Sequence, residues 1–276
     1  MISMETNRII QGDCLTVMRT LPSNYVDMIL TSPPYDDLRV YGGQQFTFSK
    51  EYPIELFRVL KEGGVCVWIV NDKVEDGSET LSSFKQALAF KEAGFKVHDT
   101  MIYRKDCFPS PQSNRYLQCF EYMFVFSKGV PKTFNPIRIT TRDWKPSKKS
   151  TKRYPNGEKV LLKYGQKKDY RHLENIWEYG IGYMKSSQDL DAFKHPATFP
   201  EDLAKDHILS WSNEGDLLLD PFVGSGTSAV IARKLNRHYI GIEINPEYCD
   251  IANKRLTKIP AYLESFLGFN HAVNRQ

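Results

Sequence analysis

The run Leu217 to Ala229, LLLDPFVGSGTSA, constrains this chain more than any other stretch. Leu217-Leu218-Leu219 reads as a short buried strand, which Asp220-Pro221 ends. Gly224-x-Gly226-x-x-Ala229 then fits a glycine turn opening a helix, predicted over about 228–235. Glycines there let backbone approach a ligand closely, and the helix start offers free N–H groups. The next strand, Tyr239 to Ile244, carries Glu243 nineteen residues after Gly224. That spacing places a carboxylate where it can accept both hydroxyls of a ribose. Strand, glycines, helix and acid in this order predict an α/β sheet with a nucleotide-like ligand at its carboxyl edge. A glycine turn with no ligand is the bland alternative.

The class of ligand follows from what surrounds the glycines. No G-K-[ST] ending is present, which argues against a phosphate-cradling loop. Asp220 stands at the strand end, where a pyrophosphate would pass. A carboxylate there repels a dinucleotide such as NAD and suits a cation that also carries a ribose. S-adenosylmethionine has both, and is preferred to NAD on that ground.

A second stretch, TSPPY at 31–35, follows the apolar run Val26 to Leu30, which reads as another buried strand. Pro33 and Pro34 donate no N–H and fix φ, so they stop the sheet. Ser32 is pushed toward extended geometry by the proline after it. A small hydroxyl, two rigid carbonyl-bearing residues and an aromatic ring thus stand at a strand end, where α/β proteins place ligands. A proline-rich turn with a core tyrosine is the plain alternative.

The rest of the chain keeps the same rhythm. Arg8 to Asp13 reads as a strand ending in a carboxylate, and Cys14 to Leu21 as a helix stopped by Pro22. After Tyr35 a polar stretch with exposed-looking Phe46 and Phe48 reads as a lid near the site. Helices are predicted at 52–60, ended by Gly63-Gly64, and at 82–92, 201–211 and 246–256, and strands at 65–70, 96–104 and 121–127. Residues 129–191 have few apolar runs and turn signals at Pro146 and Pro155-Asn156-Gly157. The implied division is 1–128 and 192–258 as two halves of one domain, 129–191 as an insert with little core of its own, and 259–276 as a tail.

Charge sets the insert apart again. Residues 131–171 hold thirteen Lys and Arg against three Asp and Glu, a net +10, so the remainder of this +4 chain carries −6. A basic segment on an acidic body suits a polyanion met on one face, and Trp144, Tyr154, Tyr164 and Tyr170 among the charges can stack on bases. A solvated lysine-rich loop is the alternative. The five cysteines are scattered and form no CxxC pair, which argues for reduced thiols in the cytoplasm and against a zinc site; no metal is expected. No apolar run reaches membrane-spanning length.

TSPPY and DPFVGSGT together resemble the amino-group DNA methyltransferases, which methylate N4 of cytosine or N6 of adenine. GDC at 12–14, FEYMFVFSKG at 120–129 and KHPATFPEDLA at 194–204 are similar to further segments of that family. The TSPPY motif comes first, the basic region next and the cofactor loop last, which resembles the permuted beta class; the related glutamine methyltransferases of release factors place the cofactor loop first. The resemblance implies a doubly wound, mostly parallel seven-stranded Rossmann-like sheet, circularly permuted, with 129–191 as the target-recognition region. It implies S-adenosyl-L-methionine as cofactor, held by Asp13, Cys14, Thr31, Asp220, Pro221, Phe222, Gly224, Ser225, Gly226, Thr227 and Glu243, with Thr198, Phe199 and Pro200 flanking its methionine end. Ser32, Pro33, Pro34 and Tyr35 would be catalytic, the first two through the Ser32 hydroxyl and Pro33 carbonyl holding the amine, and Tyr35 by stacking on a flipped base. Arg142, Lys145, Lys148, Lys149, Lys152 and Arg153 would touch duplex DNA, and a cognate restriction endonuclease is a possible partner of a monomer or homodimer. Ser32 stands where the commonest adenine pattern has Asp, so N4 of cytosine is the expected target. The alternatives are an N6-adenine enzyme of the same architecture, an inactive DNA-binding subunit, and an NAD-dependent oxidoreductase.

Overall fold

Short strands and helices alternate as the apolar periodicity requires, and the strands meet in one large sheet. The computed structural model describes residues 5–34, 46–106, 114–140, 150–162, 170–195 and 199–259. In chain order the elements are β1 (Arg8–Gln11), α1 (Cys14–Thr20), β2 (Val26–Thr31), α2 (Glu51–Val59), β3 (Leu60–Val70), the small hairpin β4 (Val74–Glu75) and β5 (Ser78–Glu79), and α3 (Ser82–Glu92). Then come β6 (Lys96–Lys105), β7 (Phe120–Ser127), β8 (Arg138–Thr140), β9 (Ser150–Arg153), β10 (Lys159–Leu162), β11 (Tyr170–His172) and β12 (Ile176–Tyr179). A 3-10 turn at Leu190–Lys194 leads to α4 (Glu201–Trp211), β13 (Leu217–Asp220), α5 (Thr227–Lys234), β14 (His238–Glu243) and α6 (Pro246–Thr257).

The sheet order is β1-β14-β13-β2-β3-β7-β6-β12. Every neighbouring pair is parallel except β3 with β7 and β7 with β6. This is the expected mostly parallel sheet with one strand more than the seven expected, because β12 adds itself beside β6 at the edge. Strands buried on both faces hold the core: Cys66, Val67, Trp68 and Ile69 of β3 and Met28 to Leu30 of β2 are fully enclosed. Trp68 keeps its indole N–H satisfied by donating to Gln86 Oε1 at 2.8 Å.

Two expectations change. Gly63 and Gly64 do not end α2; they lie inside β3, where its pairing with β2 shifts register between Val26 and Met28. A Cβ on Gly64 would stand 2.8 Å from the Asp27 carbonyl oxygen, so the close passage of the two strands demands glycine there. Phe46 and Phe48 are not exposed either. Their rings pack on Tyr52, 5.6 and 6.0 Å between centroids.

The described residues on either side of Pro136–Glu174 make up one compact unit, and Pro136–Glu174 a second. In the second, β9 pairs with β10 around the turn at Asn156-Gly157, and β11 pairs with β8. None of its residues whose side chains are described is buried.

Candidate active site

The register of the central strands brings the two sequence motifs together. Leu218 and Leu219 of β13 face Met28 and Ile29 of β2, so both strands end side by side. Thr31 Oγ1 donates to Asp220 Oδ1 at 2.6 Å across a gap of 189 residues in sequence. The Phe222 N–H donates to the same oxygen at 3.0 Å, and the Ser228 hydroxyl donates to the other. Asp220 is therefore a buried knot that holds the glycine turn to the end of β2. Burial pushes its carboxyl up to about 6, against the pull of those hydrogen bonds.

The turn itself is tight. Gly224 and Gly226 have φ of 51° and 85°, left-handed values that favour glycine. A Cβ on Gly226 would come within 2.8 Å of the Ala252 side chain, so α5 can pack on α6 only if that position is bare. Beneath the turn lies Arg255, 1 % exposed. Its guanidinium donates to Ser225 O at 2.8 Å, to Thr227 Oγ1 at 3.2 Å and to Glu201 Oε1 at 2.8 Å.

Glu243 ends β14 in front of the turn. Its two oxygens accept one backbone N–H each, from Gly224 at 3.0 Å and from Asn245 at 2.9 Å. Each oxygen keeps a second lone pair for a ligand hydroxyl. Burial pushes the Glu243 carboxyl up. Asp13 caps α1, its Oδ1 accepting from the Thr16 N–H at 2.9 Å. Cys14 is a neutral thiol, pushed up to about 12 by burial and then by Asp13.

One cavity of about 970 Å³ joins these parts. Ser32, Pro33 and Pro34 line it, and so do Asp13, Cys14, Phe199, Pro221, Phe222, Gly224, Ser225, Thr227 and Glu243. Thr31, Asp220, Gly226 and Pro200 do not line it. The first three brace the turn from behind, and Pro200 sits buried at the start of α4. Tyr35, Thr198, Arg142, Lys145, Lys148 and Lys149 lie outside the described residues. Lys152 and Arg153 are exposed on β9, in the second unit, where the Lys152 ammonium lies 5.0 Å from the Tyr154 ring centroid.

The cavity has further walls beside these. Phe46 and Tyr52 meet Phe222 edge to face, with centroids 5.4 and 5.6 Å apart. His195 lines the cavity and packs against Tyr248 at 4.3 Å. On the far side stand Asn71, Tyr103, Lys105 and Glu121. Among the described lining residues, Lys105 is the only Lys or Arg. The half around Glu243 and the glycine turn thus offers carboxylates, apolar rings and N–H groups, and no described side-chain cation for a pyrophosphate.

Residues 26–254 match a family described as DNA methylase. Over 235 residues the chain is 57 % identical to the orphan methyltransferase M.BamHII of Bacillus amyloliquefaciens, covering 84 % of this chain and 88 % of that one. Among solved structures, the PvuII DNA methyltransferase (cytosine-N4-specific) matches with a TM-score of 0.65 at 18 % identity, over 90 % of this chain and 85 % of that one. The M1.HpyAVI–SAM complex matches with a TM-score of 0.57 at 26 % identity, over 90 % and 98 % of the two chains.

Proposed function

The chain belongs to the DNA methylase family, whose pattern it matches over residues 26–254, and on that footing we propose that it moves a methyl group from S-adenosylmethionine to the N4 amine of cytosine in duplex DNA. One observation carries this reading. Ser32, Pro33 and Pro34 line the same cavity as the glycine turn and Glu243, with the Thr31–Asp220 hydrogen bond locking the two motifs edge to edge.

The residues fit that cofactor. The cavity volume lies near the upper end of small-molecule pockets, roughly 300–1,000 Å³. Glu243 has one lone pair left on each oxygen for the two ribose hydroxyls. Phe222, Ile242 and Ile244 give an apolar wall for a purine. Asp13 and Glu243 make the cofactor half acidic, which suits a sulfonium and an ammonium. When bound, S-adenosylmethionine supplies an electrophilic methyl group.

The protein's own work is then positioning. An exocyclic amine is a poor nucleophile because its lone pair is delocalised into the ring. The Ser32 hydroxyl and the Pro33 carbonyl accept its two hydrogens and draw the nitrogen toward tetrahedral geometry. The two prolines keep these acceptors rigid, so the arrangement is preorganised. Tyr35 stacks on the base once it has left the duplex. Cys14, a neutral thiol, has no part as a nucleophile. The basic stretch between the two motifs is assigned to target recognition and contact with DNA. The relative at 57 % identity is named an orphan methyltransferase, which supports action without a cognate restriction endonuclease.

Both acceptors fit either amine, and Ser32 is the feature that favours cytosine. The deciding experiment is to methylate DNA with purified protein, digest it to nucleosides and weigh the modified base. N4-methylcytosine is the expected product. N6-methyladenine alone would transfer the assignment to adenine, and no methyl transfer with intact DNA binding would make the chain a recognition subunit.

A further inference from the structure

The half of the cavity beyond Ser32 carries polar groups that holding a cofactor leaves unused. From β2 the sheet continues through β3 and β7 to β6. Asn71 follows the end of β3, Glu121 lies opposite Tyr103 in the register of β7 and β6, and Lys105 follows two residues on. All four line the cavity, on the side of β2 away from the glycine turn. They share the cavity with Ser32 and Pro33, on the side toward which a base held by its amine would extend.

Two of these side chains are aimed. Asn71 Oδ1 accepts from Gln118 Nε2 at 2.9 Å and from the Asp72 N–H at 2.9 Å. With its carbonyl held on that side, the amide presents its NH2 group as a donor on the other. Lys105 Nζ stands 2.5 Å from Glu121 Oε1, in a pair whose side chains are 22 % and 12 % exposed. An ammonium has three hydrogens, so the pairing fixes its place and leaves donors to spare.

We propose that Asn71 and Lys105 read the acceptor edge of the target base, its ring nitrogen N3 and carbonyl O2, while Ser32 and Pro33 hold its amine. This deepens the cytosine reading above and rests on it. Along its pairing edge cytosine presents an amine, a ring nitrogen and a carbonyl, one donor group and two acceptors. Adenine presents an amine, a ring nitrogen and a C–H. Two directed donors are both matched by cytosine, and one is stranded by adenine. A buried donor left unmatched is costly, and sites built on such groups discriminate strongly. Glu121 is a positioning residue in this scheme, acting through Lys105.

The test is single-turnover methylation of a duplex carrying the recognised site, with cytosine or 3-deazacytosine at the target position. The analogue keeps the amine and loses the ring acceptor. Wild type should slow about tenfold or more on the analogue. Either Lys105→Met or Asn71→Ala should slow comparably on cytosine and lose the analogue penalty, while binding S-adenosylmethionine as wild type does. If wild type acts on cytosine and both variants keep the full penalty, the Asn71–Lys105 assignment falls and the cytosine reading stands. If wild type methylates adenine and not cytosine, the base assignment falls and the two-donor match falls with it.

Discussion

Asp220 shows how a motif residue can matter by bracing a cavity that it does not line. Its carboxylate is spent on Thr31, Phe222 and Ser228, and burial raises its pKa from 3.8 to about 6. Between those values the folded chain holds a proton there that the unfolded chain has lost. Its contribution to stability is therefore full below pH 4 and declines as pH rises through about 6, by up to about 3 kcal/mol. Asp220→Asn removes the titration. Its stability relative to wild type, from urea melts at several pH values, should improve between pH 4 and 7; a flat difference would remove the burial argument. The sequence identified Asp220, because strand-end acids beside a glycine turn are local features. It could not show that the carboxylate faces inward, because Thr31 and Ser228 meet it only once the sheet has formed. Arg255 was invisible for the same reason: in sequence it is one cation among several on an amphipathic helix, and only packing buries it beneath the turn.

Among elements, the fit of α5 against α6 is the most exacting. Gly226 combines a left-handed φ of 85° with a Cβ position 2.8 Å from Ala252. Gly226→Ala should therefore destabilise the fold by about 1 to 3 kcal/mol from backbone strain alone, with the steric clash in addition. Adding Ala252→Gly should recover the steric share, read as a partial return of the thermal midpoint. No recovery would mean that strain at residue 226 accounts for the whole loss. Helices α3, α4 and α6 lie close to where apolar spacing puts them, because their 3.6-residue period is written in consecutive turns. The Gly63-Gly64 pair reads as a helix stop and lies instead in β3, for a physical reason. Glycine marks a C-cap and a close strand crossing equally well, and only the Asp27 carbonyl on the neighbouring strand distinguishes them. The group of Asn71, Lys105 and Glu121 was missed because three separate segments supply it.

At the scale of the molecule, the charge split is the feature most open to measurement. The basic stretch carries +10 on a chain of net +4, and Lys152 and Arg153 stand exposed within it. If both meet phosphates, Lys152→Ala with Arg153→Ala should flatten the dependence of log DNA affinity on log salt by about 2. A slope equal to that of wild type would place the two residues off the DNA. The order of motifs along the chain already pointed to a permuted sheet, but the pairing of β1 was not legible until the strand order was known. Among the described strands β1 is hydrogen-bonded to β14 alone, and β2 reaches β13 across an interval of some 189 residues. A ribosome adds about 5–20 residues per second, so β2, the strand that leads into Ser32, waits on the order of ten to forty seconds for its neighbour β13 to be made. Until then the edge of β2 that β13 will cover is an open strand edge, of the kind that can pair with a wrong strand.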